Sequence, residues 1–153
     1  MSNAEVIKNL NIILKNELTA INQYLLHARM VEHQGLMKLY AEMYKESIDE
    51  MKHADLLVKR ILFLGGLPNL QNLGKLMIGE TPKEMLENDL KLEHIALADL
   101  SAAHKVADEA GDVGTLTILE EIINSEEEHK EWLDQQLSLI ESIGIENYLL
   151  TQV

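Results

Sequence analysis

The sequence predicts an all-α fold: a four-helix bundle with a long crossover between helices 2 and 3 and a short fifth helix at the C-terminus. The chain of 153 residues contains only 2 prolines, and strand-favouring aromatic residues make up 4% of it. Apolar residues recur in alternating steps of three and four along four stretches, as on helix faces that pack in a bundle. Glycines separate these stretches. This length is expected to form a single domain, residues 1–153.

The first two helices are predicted to form a hairpin that turns at Gly35. The apolar face of helix 1 runs from Leu10 to Val31, and that of helix 2 runs from Leu36 to Ile61. Each face contains an acidic residue at a position where an apolar one belongs, Glu17 in helix 1 and Glu50 in helix 2. Two carboxylates are therefore expected to point inward.

Gly65 and Gly66 end helix 2 and begin an irregular segment that continues to Glu80. Extended, such a segment can run the length of the bundle, so it is predicted to be the crossover. Its leucines are expected to pack against the bundle surface: Leu67, Leu70, Leu73 and Leu76.

Helix 3 begins at Thr81, which is followed by a proline at the first helical position and by a capping-box glutamate, Glu84. Glycines 111 and 114 separate helix 3 from helix 4, and Asp112 is placed to cap helix 4. Gly144 ends helix 4, and the segment Ile145 to Val153 has room for one short helix.

A repeated Glu-x-x-His spacing is the main functional motif. Glu50 and His53 are three residues apart, so on a helix both side chains can reach one ion. The same spacing recurs 76 residues later at Glu126 and His129. One such pair is typical of a solvated helix surface, whereas its recurrence at a fixed offset indicates two related halves.

Two further glutamates, Glu17 and Glu93, are separated by the same 76 residues. The midpoint between Glu17 and Glu50 falls at the first predicted turn, and that between Glu93 and Glu126 falls at the turn before helix 4. Residues equidistant from a tight turn lie level in antiparallel helices. Each lone glutamate should therefore face the Glu-x-x-His pair of the next helix.

These four carboxylates and two imidazoles predict a di-metal centre in the bundle core. An ionised carboxylate in a dry interior costs several kcal/mol unless a cation compensates it. Oxygen-rich ligands with two nitrogens suit Fe or Mn, and the set matches the known pattern of di-iron bundles. Each metal is expected to take one terminal glutamate and one histidine, while Glu50 and Glu126 bridge. The same residues form the predicted catalytic set: Glu17, Glu50, His53, Glu93, Glu126 and His129.

Composition narrows the class of protein further. The formal charge of −13 argues against sequence-independent nucleic-acid binding and favours the attraction of cations. The absence of cysteine excludes disulfides and thiolate metal sites and suits a reducing compartment. No signal-like N-terminus and no uncharged apolar run of about 18 residues is present, so no membrane span is predicted. The expected location is the cytoplasm.

Longer stretches of the chain resemble bacterioferritin, a haem-containing bacterial ferritin. The segments Asn16–Met30, Glu46–Asp55 and Arg60–Leu70 carry the resemblance, which extends over essentially the whole chain to Tyr148 and Leu149. It implies a ferritin-like fold and a 24-subunit cage built from dimers, which oxidises Fe(II) with O2 or H2O2 at intrasubunit di-iron centres and stores ferric mineral. Such a protein is a ferroxidase that serves iron storage and detoxification. The resemblance leaves open whether the cage contains a second ferritin-type subunit, and it is compatible with a ferredoxin-like electron donor.

The resemblance also implies haem b between two-fold-related subunits, with Met51 of each subunit as an axial ligand and electron transfer as its role. Met51 lies about 100° from Glu50 around the helix and so points out of the bundle. Without the resemblance, an ordinary interface contact is the simpler interpretation of this residue.

The sequence leaves other residues with two interpretations. Tyr24, one heptad after Glu17, either donates a hydrogen bond to a site carboxylate or only packs, and Trp132 is either an electron donor or structural. Lys45 stands where some relatives have a histidine that, beside the residue matching Asp49, holds iron on the inner surface of the cage. A protonated lysine cannot ligate iron, so this site is not expected. The remaining histidines are interpreted as surface, turn or core residues: His27, His33, His94 and His104.

Three alternative functions share much of this pattern. A haem-free ferritin differs mainly at Met51 and its flanking segments. A di-metal (Fe/Mn) oxidase or catalase would use the same ligand set but store no mineral. A purely structural helical bundle needs no metal, and six inward polar residues at one level count against it.

Overall fold

The computed structural model describes residues 2–153, and no strand occurs among them. The helices are α1 (Ser2–His33), α2 (Met37–Phe63), α3 (Pro82–Glu109), α4 (Val113–Ile143) and α5 (Ile145–Leu150). Helix α1 packs against both α2 and α3, and α3 also packs against α4, whereas α2 and α4 share little contact. The predicted all-α four-helix bundle, with its crossover between the second and third helices and its short fifth helix, is confirmed.

The two hairpin turns are tight because a glycine takes a left-handed conformation in each. Gly35 has a φ of 81°, and Gly111 has a φ of 67°. Beyond each glycine the chain bonds back to the helix that it has just left: the amide of Leu36 donates to the carbonyl of Val31 over 2.9 Å. These short turns bring residues equidistant from them to the same level.

Side-chain caps fix the start of α3 and of α4. The Thr81 hydroxyl accepts a hydrogen bond from the amide of Glu84 over 3.2 Å, and Asp112 accepts one from the amide of Thr115 over 3.1 Å. In a capping box the glutamate side chain accepts a hydrogen bond from the amide of the N-cap residue, here Thr81. The Glu84 carboxylate instead accepts from the amide of the preceding residue, Glu80, over 2.9 Å. Both predicted helix starts are confirmed.

The hydrophobic core consists of two clusters with a polar layer between them. One cluster contains Val6, Leu10, Ile13, Leu14, Ala54, Leu57, Ile61, Leu100, Ala103, Ala107, Leu119 and Ile122. The other contains Ala28, Val31, Leu36, Leu39, Met43, Met85, Leu86, Leu133, Ile140 and Tyr148. Each of the four long helices contributes to both clusters. The residues between these two sets in each helix form the polar layer, and every predicted metal ligand belongs to it.

The crossover leucines do not pack against the bundle, so that prediction is wrong. All four are exposed, and Leu67 is 83% exposed. The segment is held through its backbone: its amide or carbonyl groups bond to polar side chains of α1 at Asn11, Thr19, Gln23 and His27. Because polar groups of α1 occupy the inner side of the segment, the leucines are left facing outward.

Candidate metal centre

The six predicted ligands meet in the polar layer, and all six are buried. Their ligand atoms form two groups, each with every atom within 4.8 Å of the others. The first group contains Glu17, Glu50, His53 and Glu126, and the second contains Glu93, Glu126 and His129. Glu126 belongs to both groups, as expected of a bridging ligand, whereas Glu50 belongs to the first alone. The bridging role of Glu50 stays a prediction.

In the first group, the Nδ1 atom of His53 is surrounded by carboxylates. It lies 3.1 Å from Glu126 Oε1, 3.5 Å from Glu17 Oε2 and 3.8 Å from Glu50 Oε2. Glu17 thus lies beside the histidine of the following helix, in the arrangement that the hairpin geometry predicts.

In the second group, His129 Nδ1 lies 2.8 Å from Glu93 Oε1. The hydroxyl of Tyr24 donates a hydrogen bond to the same carboxylate oxygen. Trp132 stacks on the His129 ring with their centroids 6.1 Å apart. Of the two interpretations of Tyr24, the hydrogen bond to a site carboxylate is confirmed.

Unsatisfied polar atoms mark this centre within residues 2–153. Buried side-chain nitrogen and oxygen atoms that lack a hydrogen-bond partner occur only in predicted ligands: Glu17, Glu50, His53, Glu93 and Glu126. Proteins normally satisfy such atoms, and each orphan costs about 1–3 kcal/mol. Carboxylate oxygens and imidazole nitrogens that converge without partners fit a pair of hard cations.

The pKa values of several predicted ligands are raised, so these side chains hold protons when no metal is bound. Burial, and then the charge of Glu126, raises the pKa of Glu93 to about 8, while burial and the charge of Glu50 raise the pKa of Glu126 to about 7. Burial acts to lower the pKa of His53, but the nearby carboxylates of Glu126 and Glu50 outweigh it and raise that pKa to about 10. The pKa of His129 is likewise about 10, because the hydrogen bond and charge of Glu93 outweigh burial. A bound metal would displace these protons.

One acidic residue beside the centre is absent from the predicted set. Glu46 is buried, and its Oε2 atom lies 3.5 Å from His129 Nδ1. Burial raises the pKa of its carboxyl group to about 7. Glu46 precedes Glu50 by four residues and so lies on the same helix face. The four-residue spacing from Glu50 was the sequence signal that could have identified Glu46 as part of this region.

A second buried polar cluster lies one helical turn from Glu93. The Asp89 carboxylate accepts hydrogen bonds from Gln23 Nε2 over 2.9 Å and from His27 Nδ1 over 2.8 Å. The Nδ1 atom of His27 carries the proton, because its Nε2 atom accepts from the amide of Gly79. This cluster joins α1, α3 and the crossover, and it makes His27 a core residue.

The remaining singled-out residues lie at the surface. Met51 is 53% exposed and points away from the centre, as its position on the helix predicts. The Lys45 ammonium lies 3.1 Å from an Asp49 carboxylate oxygen. His104 pairs with Glu120 over 3.1 Å, while His33 and His94 are exposed.

Comparison with known proteins identifies the family. A model of the ferritin-like domain matches residues 7–143. The chain is 46% identical over 147 residues to the bacterioferritin of Rhodobacter capsulatus, an alignment that covers 96% of this chain and 91% of that protein. The chain belongs to the bacterioferritin family. Bacterioferritin BfrA of Mycobacterium tuberculosis is 43% identical to the present chain over 144 residues, an alignment that covers 94% of the present chain and 91% of BfrA. The bacterial ferritin of Synechocystis sp. is 41% identical over 149 residues, an alignment that covers 97% of the present chain and 96% of that protein.

Family membership agrees with the fold and confirms the resemblance that the sequence shows. Within residues 2–153, this bacterioferritin-family chain has no helix both long and apolar enough to cross a membrane. Cytoplasmic location stays a prediction.

Proposed function

We propose that this bacterioferritin-family protein stores iron and acts as a ferroxidase, oxidising Fe(II) to Fe(III) with O2 or H2O2 at the six-residue centre. The observation that carries the proposal is the convergence of buried ligand atoms that have no hydrogen-bond partner. Its bacterioferritin relatives support iron as the metal.

Each half of the centre would hold one iron ion. Glu17 and His53 would be the terminal ligands of one ion, and Glu93 and His129 those of the other, with Glu50 and Glu126 between them. The place of Glu126 in both groups supports its bridging role. The iron pair, when bound, supplies the electrons that reduce the oxidant.

The surrounding residues determine how the ligands behave. The negative charge of the glutamates favours the ferric over the ferrous state. The Tyr24 hydroxyl fixes the orientation of Glu93 through its hydrogen bond, and the Trp132 ring packs on His129. The two hydrophobic clusters on either side of the polar layer exclude bulk water.

The proposal extends to assembly and to haem. The protein would form a 24-subunit cage from dimers, either alone or with a second ferritin-type subunit, and would bind haem b between two-fold-related subunits through Met51 of each. The exposure of Met51 and of the crossover leucines supports this assembly, because a single chain leaves that apolar surface uncovered. Electrons from a ferredoxin-like donor would pass through the haem to the stored iron. Core clusters shared by all four long helices support one domain over residues 1–153.

Rapid mixing of metal-free protein with Fe(II) and O2 tests the function. The wild-type protein should show a fast oxidation phase that saturates at two Fe(II) per subunit, as a centre with two metal positions requires. The double variant Glu50→Ala, Glu126→Ala should lose this phase while still eluting as a cage, and the exposed Glu127→Ala should retain it. Wild-type kinetics in the double variant would dispose of the proposal.

Mineral storage separates this function from that of a di-metal oxidase or catalase with the same ligands. Repeated aerobic additions of Fe(II) should leave iron in the cage fraction on size-exclusion chromatography. Iron that elutes apart from the protein would favour an oxidase.

A further inference from the structure

A buried carboxylate outside the centre, that of Asp89, holds two side chains of α1. Its Oδ1 atom accepts hydrogen bonds from Gln23 Nε2 over 2.9 Å and from His27 Nδ1 over 2.8 Å. All three residues are buried, Asp89 with 1% of its surface exposed. Burial of a carboxyl group costs free energy that an apolar residue at the same position would not cost. The proposed function gives these three residues, the Asp89 cluster, no role.

The crossover fixes the same two α1 side chains from their other ends. The amide of Gly79 donates a hydrogen bond to His27 Nε2 over 2.9 Å, and the amide of Met77 donates one to Gln23 Oε1 over 2.8 Å. Because each side chain is bonded at both ends, neither can rotate without losing a hydrogen bond. The Asp89 cluster therefore holds α1 against α3 at one level of the bundle.

The next turn of α3 carries a predicted metal ligand that α1 also contacts. Glu93 follows Asp89 by four residues, which is about one helical turn. Tyr24 directly follows Gln23 in α1 and donates a hydrogen bond to Glu93 Oε1. Two neighbouring residues of α1 thus contact carboxylates on two successive turns of α3. A shift of α1 along α3 would break both contacts together.

The contact with Tyr24 determines which oxygen of Glu93 is available to a metal. Glu93 Oε1 accepts the bond from the Tyr24 hydroxyl and lies 2.8 Å from His129 Nδ1. Glu93 Oε2 is buried and has no hydrogen-bond partner within residues 2–153. The last torsion of a glutamate side chain is broad, so without the Tyr24 bond the carboxylate could rotate. The position of Tyr24 therefore sets the orientation of Glu93 Oε2.

The first half of the centre is built differently at the corresponding positions. The 76-residue offset matches three of these residues to apolar members of the first hydrophobic cluster: Tyr24 to Leu100, His27 to Ala103 and Asp89 to Ile13. In the described part of the chain, both oxygens of Glu17, the counterpart of Glu93, are without a hydrogen-bond partner. A change at Asp89 should therefore act on one half of the centre and spare the other.

We propose that Asp89 is a positioning residue for the second half of the centre, the half that contains Glu93 and His129. By holding Gln23 and its neighbours in α1, Asp89 keeps the Tyr24 hydroxyl on Glu93 Oε1 and keeps Glu93 Oε2 turned toward the metal. This inference rests on the proposed function, because it requires that the centre binds metal. Asp89 acts through Tyr24 and is not itself a ligand.

Titration of the metal-free protein with Co(II), a redox-stable probe, tests this role without turnover. Wild type should bind two Co(II) per subunit. Asp89→Leu removes the hydrogen-bond acceptor, so one of the two affinities should fall about tenfold, as is typical when a residue that supports a ligand is lost, while the other stays unchanged. Asp89→Asn keeps an oxygen that can accept both bonds and should bind like wild type. The control Ile140→Ala, at a buried position further along α4, should lower the Tm and leave both affinities unchanged.

A double-mutant comparison separates this role from general packing. Tyr24→Phe removes the hydroxyl that contacts Glu93 but keeps the ring. If Asp89 acts through that hydroxyl, adding Asp89→Leu to Tyr24→Phe should change the Co(II) affinities little further. A loss as large as in the wild-type background would overturn the inference, as would unchanged affinities in Asp89→Leu alone. Should Asp89→Leu fail to fold, Gln23→Met, which removes one of the two bonds to Asp89, takes its place in both comparisons.

Crystals soaked with limiting Co(II) identify the half that is affected. Compared with wild type, Asp89→Leu should lose anomalous density at the cobalt edge beside Glu93 and His129 and keep it beside Glu17 and His53. Equal loss at both positions would overturn this inference alone. Absence of cobalt density from both positions in wild type would overturn the proposed function as well.

Discussion

Replacing Glu126 by glutamine should stabilise the metal-free protein while removing its response to metal. Glu126 is shared by both ligand groups, and neither of its carboxylate oxygens has a hydrogen-bond partner. If the centre exists to bind cations, its empty form is a source of strain. Relieving that strain and losing metal binding should therefore go together.

The size of the effect follows from the buried charge. Burial and the charge of Glu50 raise the pKa of Glu126 from 4.5 to about 7. A carboxyl group whose pKa is raised on folding destabilises the fold as the pH rises through this range, and the full penalty, about 3 kcal/mol, is present at pH 8. The amide of glutamine would itself lack partners, which costs about 1 kcal/mol. The net gain of about 2 kcal/mol corresponds to a Tm about 4–8 °C higher at pH 8, whereas near pH 4 the wild-type carboxyl is protonated and only the amide cost of about 1 kcal/mol is left.

Thermal unfolding of chelator-treated protein measures this directly. Wild type, Glu126→Gln and the exposed neighbour control Glu127→Gln are compared at pH 8 and near pH 4, without metal and with Co(II) as a redox-stable probe. Wild type and Glu127→Gln should gain stability with Co(II), and Glu126→Gln should gain much less. A lower Tm for metal-free Glu126→Gln at pH 8, or an unchanged Co(II) response, would refute the reasoning.

Three further predictions concern other parts of the molecule. Met51→Leu should abolish the visible haem band of the purified protein and leave rapid Fe(II) oxidation intact; a full-strength band would mean that another residue ligates haem. Burial acts to raise the pKa of Asp112, but hydrogen bonds, chiefly from Thr115, outweigh it and lower that pKa. The ionised Asp112 carboxylate that caps α4 therefore stabilises the fold at pH values above the ordinary pKa of an aspartate. Asp112→Ala should cost about 1 kcal/mol at pH 7 in denaturant unfolding, with the difference shrinking as acid protonates the wild-type residue; a constant difference would contradict this. Gly79→Ala should lower the Tm strongly, because its Cβ would come within 2.7 Å of the Met85 Cα in the backbone of α3; an unchanged Tm would contradict this packing.

The fold and the placement of the six predicted ligands could be predicted because local patterns encode them. Left-handed glycines at positions 35 and 111 mark the hairpin turns, so the distance of each glutamate along the chain from its turn determines its level in the bundle. The 76-residue offset then relates the two halves. Glu17 next to His53, and Glu93 next to His129, are direct consequences of that spacing.

Features that depend on contacts distant in sequence could not be predicted in the same way. The crossover is oriented by hydrogen bonds such as that from the amide of Gly74 to the hydroxyl of Thr19, 55 residues away. No periodic pattern in the sequence predicts such bonds. Its leucines therefore face outward, against the expectation from their hydrophobicity. Glu46 was missed for a related reason: its four-residue spacing from Glu50 places it near the inner face of α2, but its proximity to His129 depends on how α4 packs against that face.

Iron-edge anomalous diffraction from crystals soaked anaerobically with two Fe(II) per subunit tests the central claim most directly. Two peaks should appear in each subunit, one beside Glu17 and His53 and one beside Glu93 and His129, with Glu126 between them. Iron density confined to the protein surface, with none among these side chains, would contradict the assignment of the centre.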